Sequence, residues 1–112
     1  MSPTHRVLVI GTGSIGERHT RCFLATGRAT VQICELNRDV RLRVAETYGV
    51  ESFVALEQAL ENPPDVAVIC TPAPQHVPMA RQLVLAGTDV LVEKPLGISL
   101  DGVDQLCWEM EH

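Results

Sequence analysis

Val7-Leu8-Val9-Ile10 runs directly into Gly11-Thr12-Gly13-Ser14-Ile15-Gly16, an apolar run followed by the glycine pattern GxGxxG. This pattern is typical of the turn between a first strand and a first helix that binds the diphosphate of a dinucleotide. Gly11 permits the tight turn, Gly13 lets the diphosphate approach the backbone, and Gly16 lets the helix pack close to the strand. The free N–H groups and partial positive charge at the helix start then favour phosphate.

An acidic residue follows nineteen positions after the last glycine of this pattern. Glu35 ends the second apolar run, where a carboxylate can accept hydrogen bonds from the adenosine ribose hydroxyls. The same carboxylate would repel the 2′-phosphate of NADP, so the sequence favours NAD. The alternative is that Glu35 is a solvated residue at a strand end. Arg38 leaves the choice of cofactor open, since it could pair with a 2′-phosphate, stack on adenine or face solvent.

Five short apolar runs alternate with segments of helical period, which predicts an α/β fold with a doubly wound parallel sheet, the Rossmann architecture. The predicted strands are Arg6–Ile10, Thr30–Glu35, Glu51–Phe53, Asp65–Cys70 and Asp89–Val92. Their nearly continuous apolar character is typical of strands covered on both faces. We expect residues 1–112 to form one dinucleotide-binding domain with a buried sheet.

Apolar residues at helical spacing predict one buried stripe for each helix between the strands. The four stripes are Ile15, Cys22, Phe23 and Thr26; Val40, Val44 and Tyr48; Leu56, Ala59 and Leu60; and Met79, Leu83 and Ala86. His19 falls on the first stripe, which predicts a hydrogen-bonded core histidine; the alternative is a direct contact with the cofactor. A last helix is expected to begin at Ser99 and to bury Val103, Leu106, Cys107 and Met110.

Composition excludes several classes of partner. Fourteen acidic against nine basic residues give a formal charge of −5, which argues against binding to nucleic acid or an anionic membrane surface. No apolar run approaches the roughly 20 residues that span a bilayer, and residues 1–6 begin no signal-like run. We therefore expect a cytoplasmic protein with a small-molecule partner.

The four cysteines predict neither a metal site nor a disulfide framework. Cys22, Cys34, Cys70 and Cys107 are separated by 12, 36 and 37 residues, without a CxxC or a Cys/His cluster of metal-ligand spacing. We expect reduced thiols within the core.

Two predicted loops at the carboxyl ends of strands have an unusual composition. Residues 71–76, with the sequence TPAPQH, contain two prolines that stiffen the turn, and Glu93-Lys94-Pro95 follows the fifth strand. Lys94 is the single lysine of the sequence. Its ammonium could donate to a substrate hydroxyl and stabilise the oxyanion that forms as the carbon gives up a hydride. The alternative is a surface lysine paired with Glu93, whose own predicted role is to support the loop or nearby ligand groups.

Taken together, these motifs resemble the Gfo/Idh/MocA family of NAD(P)-dependent oxidoreductases, which includes glucose–fructose oxidoreductase and inositol dehydrogenase. The resemblance extends from Val7 to the final helix and rests on GxGxxG with His19, on Glu35, on Thr71-Pro72 with His76, and on Glu93-Lys94-Pro95. The Glu-Lys-Pro tripeptide is its most specific element.

The resemblance implies a role for each motif. The diphosphate would be held by Gly11, Gly13, Ser14, Ile15 and Gly16, and the adenosine ribose by Glu35. Thr71, Pro72 and His76 would line the nicotinamide side. Lys94 would reach both the nicotinamide ribose and the substrate, and the Lys94–Pro95 peptide bond is expected to be cis.

The resemblance also implies a second α/β domain, which supplies the acid/base residue and usually forms the oligomer interface. Because no such region follows His112, we expect this chain to be the N-terminal part of a longer, homo-oligomeric enzyme, able to bind NAD but nearly inactive alone. Trp108 lies off the predicted stripe of the last helix and is expected to be partly exposed or buried against a neighbouring copy, in a dimer that need not be native.

The leading hypothesis is hydride transfer between nicotinamide and a hydroxyl-bearing carbon of a sugar, polyol or related compound. A free-standing NAD-sensing module is the alternative, although a sensor has no need of Lys94. A class I methyltransferase also places an acid after its second strand, but Gly16 at the helix-packing position disfavours it.

Overall fold

Five parallel strands form one sheet in the computed structural model, which describes residues 4–93, 106 and 108–110. The strands are β1 (His5–Ile10), β2 (Ala29–Cys34), β3 (Glu51–Phe53), β4 (Val66–Ile69) and β5 (Asp89–Val92). Their order across the sheet is β3-β2-β1-β4-β5. Because β1 lies between β2 and β4, the order reverses at β1, and the predicted doubly wound parallel sheet is confirmed.

Helices connect the successive strands. They are α1 (Ser14–Ala25), α2 (Arg38–Tyr48), α3 (Leu56–Leu60) and α4 (His76–Leu85), and a short 3-10 turn, Ala73–Gln75, precedes α4. The Asn37 side chain caps α2 by accepting from the Val40 amide at 3.0 Å. Gly87 follows α4 in the left-handed region, with φ of 84°, as expected for a glycine just past a helix.

Alternation along the central strands sends side chains to two separate cores. Leu8 and Ile10 of β1 pack with residues of α3, α4 and Leu106, whereas Val7 and Val9 pack with residues of α1 and α2. The predicted burial on both faces is confirmed for β1 and β4. It is wrong for β5, because this strand lies at the sheet edge and leaves Leu91 half exposed.

The predicted buried face of α1 is wrong for three of its four residues; the fourth, Phe23, is half-buried and packs against the core. Ile15 is 54% exposed, and Cys22 and Thr26 are also exposed, while Gly16 and Thr20 are buried. The helix packs so closely on the turn after β1 that a Cβ on Gly16 would lie 1.8 Å from the Gly11 carbonyl oxygen. This contact fixes the rotation of the helix, and hydrophobic periodicity does not detect a face that is centred on a glycine.

The other stripes agree better with the structure. The buried residues are Val44, Leu56, Ala59 and Leu83, and the half-buried ones are Val40, Tyr48, Leu60, Met79 and Ala86.

Residues 106 and 108–110 are helical. Leu106 is buried and Trp108 is 56% exposed, both as predicted. Met110 is 60% exposed instead of buried. The reason is that Glu109 faces α4, where the Arg81 Nη2 donates to its Oε1 at 3.0 Å. Ser99, Val103 and Cys107 lie outside the residues whose side chains the structure describes.

Cys34 is buried and Cys70 half-buried, whereas Cys22 is exposed, so the prediction of a core thiol is wrong there. Cys22 is exposed because the packing of Gly16 sets the rotation of α1 and leaves this side of the helix in solvent.

Within residues 4–93, 106 and 108–110, no group of three His, Cys, Asp or Glu side chains is placed to hold a metal ion. In the same part of the chain, no helix has the length and apolar character that a bilayer crossing needs.

Replacement of Gly16 by alanine should destabilise the fold strongly, because the new methyl group would overlap the Gly11 carbonyl. We expect the free energy of unfolding to fall by about 3 kcal/mol or more, measured by urea denaturation. Gly13→Ala is the matched control, since a Cβ there meets no atom within 4 Å, and its cost should stay below about 1 kcal/mol. Equal effects of the two substitutions would contradict the close approach.

Candidate functional site

An open cavity of about 470 Å³ lies at the carboxyl ends of the strands. Its walls come from the turn after β1, the end of β2, the segment between β3 and α3, and the loop and helix that follow β4. In open parallel sheets, ligands bind outside this edge where the strand order reverses. The cavity therefore occupies the position that the topology favours for a ligand.

The glycine turn forms one wall of this cavity. Gly11 has φ of 87° and donates to the Cys34 carbonyl at 2.8 Å, and a Cβ on Gly11 would meet the Cys70 backbone at 3.0 Å. Gly13 precedes α1 and is open to solvent. No side chain of the described residues caps α1, and the Glu17 amide is the first to bond within it, to Gly13 O. The preceding amides are therefore directed out of the helix start, as an anion site requires.

The Glu35 carboxylate links the turns after β1 and β2. Its Oε1 accepts from the Thr12 amide at 2.7 Å and from the Thr12 hydroxyl at 3.2 Å, and its Oε2 accepts from the Asn37 amide at 3.0 Å. Glu35 is half-buried and lines the cavity, so its carboxylate is held by the fold and does not extend freely into solvent. A carboxylate has about four lone-pair sites, which leaves capacity for further donors such as ribose hydroxyls.

Two neighbours of Glu35 were not predicted. Thr12 is fully buried, and its variable position within GxGxxG gives no signal of this contact. Arg41 donates from Nη1 to the Glu35 carbonyl at 3.0 Å. Arg38 is exposed at the first position of α2 and does not line the cavity, so its placement agrees with the solvent-facing alternative.

The loop after β4 contributes Thr71 and Pro72 to the cavity, together with Gln75, which was not predicted. His76 does not line the cavity. It is 2% exposed, and its Nε2 donates to the Thr71 carbonyl from the first position of α4. His76 therefore supports Thr71 from within the fold, and the prediction that His76 itself lines the nicotinamide side is wrong, because its side chain is buried.

Glu93 continues from β5, where its amide donates to the Ile69 carbonyl at 3.1 Å, and its Oε1 contacts Nε2 of His19. His19 is hydrogen-bonded as predicted, but it is half-buried and joins α1 to the end of β5, so the prediction of a core histidine is wrong. This pair agrees with the supporting role predicted for Glu93. Lys94 and Pro95, with the expected cis peptide bond, lie outside the described residues.

The two thiols at the cavity are held in their neutral form. Burial raises the pKa of Cys34 to about 11, and the nearby carboxylates of Glu35 and Glu57 add to the effect. Burial raises the pKa of Cys70 to about 12, with a smaller contribution from Glu93. Both thiols are therefore poor nucleophiles at neutral pH.

Comparison with known proteins identifies relatives of this fold and site. The family described as "Oxidoreductase family, NAD-binding Rossmann fold" (GFO_IDH_MocA) matches residues 5–111. An inositol 2-dehydrogenase/D-chiro-inositol 3-dehydrogenase from Shouchella clausii is 33% identical over an alignment of 116 positions, which covers 97% of this chain and 33% of that protein.

Solved structures share the fold over nearly the whole chain. GenD2 from gentamicin A biosynthesis, in complex with NAD, superposes with a TM-score of 0.91 and 31% identity, covering 99% of this chain and 32% of its own. Myo-inositol 2-dehydrogenase from Lactobacillus plantarum superposes with a TM-score of 0.89 and 27% identity, covering 96% of this chain and 33% of its own. The chain thus spans about a third of the length of the relatives it matches.

Thiol labelling should follow burial and pKa. At pH 8 we expect an alkylating reagent to modify Cys22 readily, and Cys34 and Cys70 at least about 100-fold more slowly, because a pKa near 11 leaves about one thiolate in a thousand. The slow rates should rise about tenfold for each pH unit up to pH 10. Mass spectrometry of peptides measures each site separately. Comparable rates for Cys22 and Cys34 in the folded chain would contradict this assignment.

Proposed function

We propose that this chain, which belongs to the Gfo/Idh/MocA family of NAD-binding oxidoreductases, binds NAD in the cavity at the carboxyl ends of β1, β2 and β4. The observation that carries the proposal is the joint placement of an open helix start at Gly13 and of the fixed Glu35 carboxylate in one cavity. Membership of the family agrees with the resemblance expected from the sequence, and it makes the methyltransferase alternative wrong.

The diphosphate is assigned to the start of α1, with contacts to Gly11, Gly13, Ser14, Ile15 and Gly16. Gly13 presents no side chain, so the phosphate oxygens can approach the backbone amides directly. Gly11 and Gly16 act by bringing strand and helix together.

Glu35 is assigned to the adenosine ribose, where it selects NAD over NADP. Its two oxygens are fixed by Thr12 and Asn37, so the carboxylate cannot turn away from a 2′-phosphate without breaking these bonds. Repulsion between the two negative groups then disfavours NADP. The complex of GenD2 with NAD supports this choice.

For the nicotinamide half, we assign Thr71 and Pro72 as lining residues, His76 as the support of Thr71, and Glu93 as the support of the loop that carries Lys94. The His19 contact and the Ile69 carbonyl fix Glu93 from two sides. Glu93 is therefore fixed at the end of β5.

The whole enzyme is proposed to move a hydride between nicotinamide and a hydroxyl-bearing carbon of a polyol or sugar, as the names of several relatives suggest. Residues 1–112 would supply the cofactor half and Lys94. A further domain would supply the acid/base group and an oligomer interface, because the relatives are about three times as long as this chain. We also propose a cytoplasmic location, and the formal charge of −5 on residues 1–112 argues against nucleic-acid binding by this part of the enzyme.

Titration of the purified chain with NADH and NADPH tests the cofactor assignment. We expect NADH to bind at least about tenfold more tightly than NADPH. The Glu35 carboxylate accepts a charge-assisted hydrogen bond from the ribose of NADH, whereas it repels the 2′-phosphate of NADPH. Glu35→Gln keeps the shape but removes the charge, and it should weaken NADH binding while strengthening NADPH binding.

Glu46→Gln is the matched control, because Glu46 is exposed on α2 and does not line the cavity. It should leave both affinities unchanged. Equal affinity of the unaltered chain for the two dinucleotides, or indifference to Glu35→Gln, would refute the assignment. Circular dichroism checks that each variant is folded.

Lys94 is tested by turnover in the full-length enzyme that contains this chain, with myo-inositol and NAD as substrates. Lys94→Met should lower kcat about 100-fold or more, because it removes the donor to the developing oxyanion. The Kd for NADH should change much less. Unchanged kcat would favour the surface-lysine alternative, and an enzyme that binds NADH without any turnover would favour the sensing module.

A further inference from the structure

Besides the glycine turn and Glu35, the cavity has an apolar part of its lining that the proposed diphosphate and ribose contacts do not use. Leu36 and Val54 reach this part of the cavity from the ends of β2 and β3, while Pro72 and Met79 reach it from the side of β4 and α4. Since β2 and β4 lie on opposite sides of β1, these apolar residues form walls of the cavity on both sides of β1. Leu36 is 73% exposed, which leaves its side chain available for contact with a ligand.

A flat, largely apolar group fits between such walls better than a second phosphate or sugar. The base of a dinucleotide follows the ribose along the molecule, so a ribose at Glu35 places the base next to it. Both faces of an aromatic ring can contact aliphatic and thioether side chains, and sulfur adds favourable contacts with aromatic edges. The two walls therefore account for the ring but do not distinguish one base from another.

A polar pair lies at this part of the cavity and can make that distinction. The Gln82 side-chain amide donates to Oε1 of Glu57 at 3.4 Å and joins α4 to α3. Both residues line the cavity. Within the described residues, the Oε2 of Glu57 accepts no hydrogen bond and Glu57 has no ion-pair partner.

Glu57 lies in the first turn of α3, just after the segment that borders the end of β2. The Glu35 amide donates to the Phe53 carbonyl at 3.0 Å, the Cys34 thiol donates to the Val54 carbonyl at 3.8 Å, and both carboxylates line the same cavity. A ligand held by Glu35 is therefore within reach of a second carboxylate, which acts only as an acceptor when ionised.

On the basis of the proposed function, we propose that Glu57, positioned by Gln82, recognises the base of the bound dinucleotide by accepting a hydrogen bond from an exocyclic amino group. Adenine carries such an amino donor at N6. Hypoxanthine carries a carbonyl oxygen at the same position, and this oxygen would face the carboxylate without a proton between them. The site thus selects an adenine dinucleotide over its deaminated analogue.

The test compares NAD with nicotinamide hypoxanthine dinucleotide by isothermal titration calorimetry on the purified chain. The unaltered chain should bind NAD about tenfold more tightly than the hypoxanthine dinucleotide. A tenfold difference corresponds to the loss of one charge-assisted hydrogen bond. Glu57→Gln places an amide at the same position, which can accept from the amino group or donate to the carbonyl. The preference of the Glu57→Gln variant for NAD should fall to within about twofold, because this variant binds the hypoxanthine dinucleotide more tightly than the unaltered chain does. A purely structural role would instead weaken both dinucleotides equally.

Glu61→Gln is the matched control, because Glu61 is exposed at the end of α3 and does not line the cavity. It should keep the tenfold preference. Equal binding of the two dinucleotides to the unaltered chain, or an unchanged preference in Glu57→Gln, would overturn base recognition by Glu57 while leaving the proposed function intact. Failure of both dinucleotides to bind would overturn the proposed function and this inference together.

Discussion

The contact between Gly16 and the Gly11 carbonyl is the constraint on which the site depends. A side chain at position 16 has no room, so α1 starts directly against the backbone of the turn after β1. This close approach determines which face of α1 is buried and aims the open helix start at the cavity. The same geometry that packs the helix therefore creates the place where an anion is stabilised.

Glu35 gives the site its second fixed point, and it has a structural role as well as the proposed cofactor role. Its carboxylate is bonded to Thr12 in the first turn and to Asn37 in the second. Loss of the side chain would therefore release two loops and not only one ligand contact. For this reason, Glu35→Gln is more informative than a truncation, since it removes the charge while keeping hydrogen-bonding capacity.

The strands, the glycine turn and Glu35 could be predicted because their signals are local: an apolar run, a hexapeptide and a residue at a strand end. The buried face of α1 could not, because its centre is Gly16 and its next buried residue is Thr20, neither of which is strongly apolar. The contacts of Glu35 with Thr12, of Glu93 with His19 and of Glu57 with Gln82 join residues distant in sequence. Such contacts arise from strand order and helix rotation, which local periodicity does not encode.

The most direct test of the central claim is the amide spectrum of ¹⁵N-labelled protein during titration with NADH. If the helix start binds the diphosphate, the largest changes in chemical shift will occur at Gly13, Ser14, Ile15 and Gly16, with smaller changes near Glu35. Saturable changes that cluster on other elements, with the amides of residues 13–16 unaffected, would contradict the account.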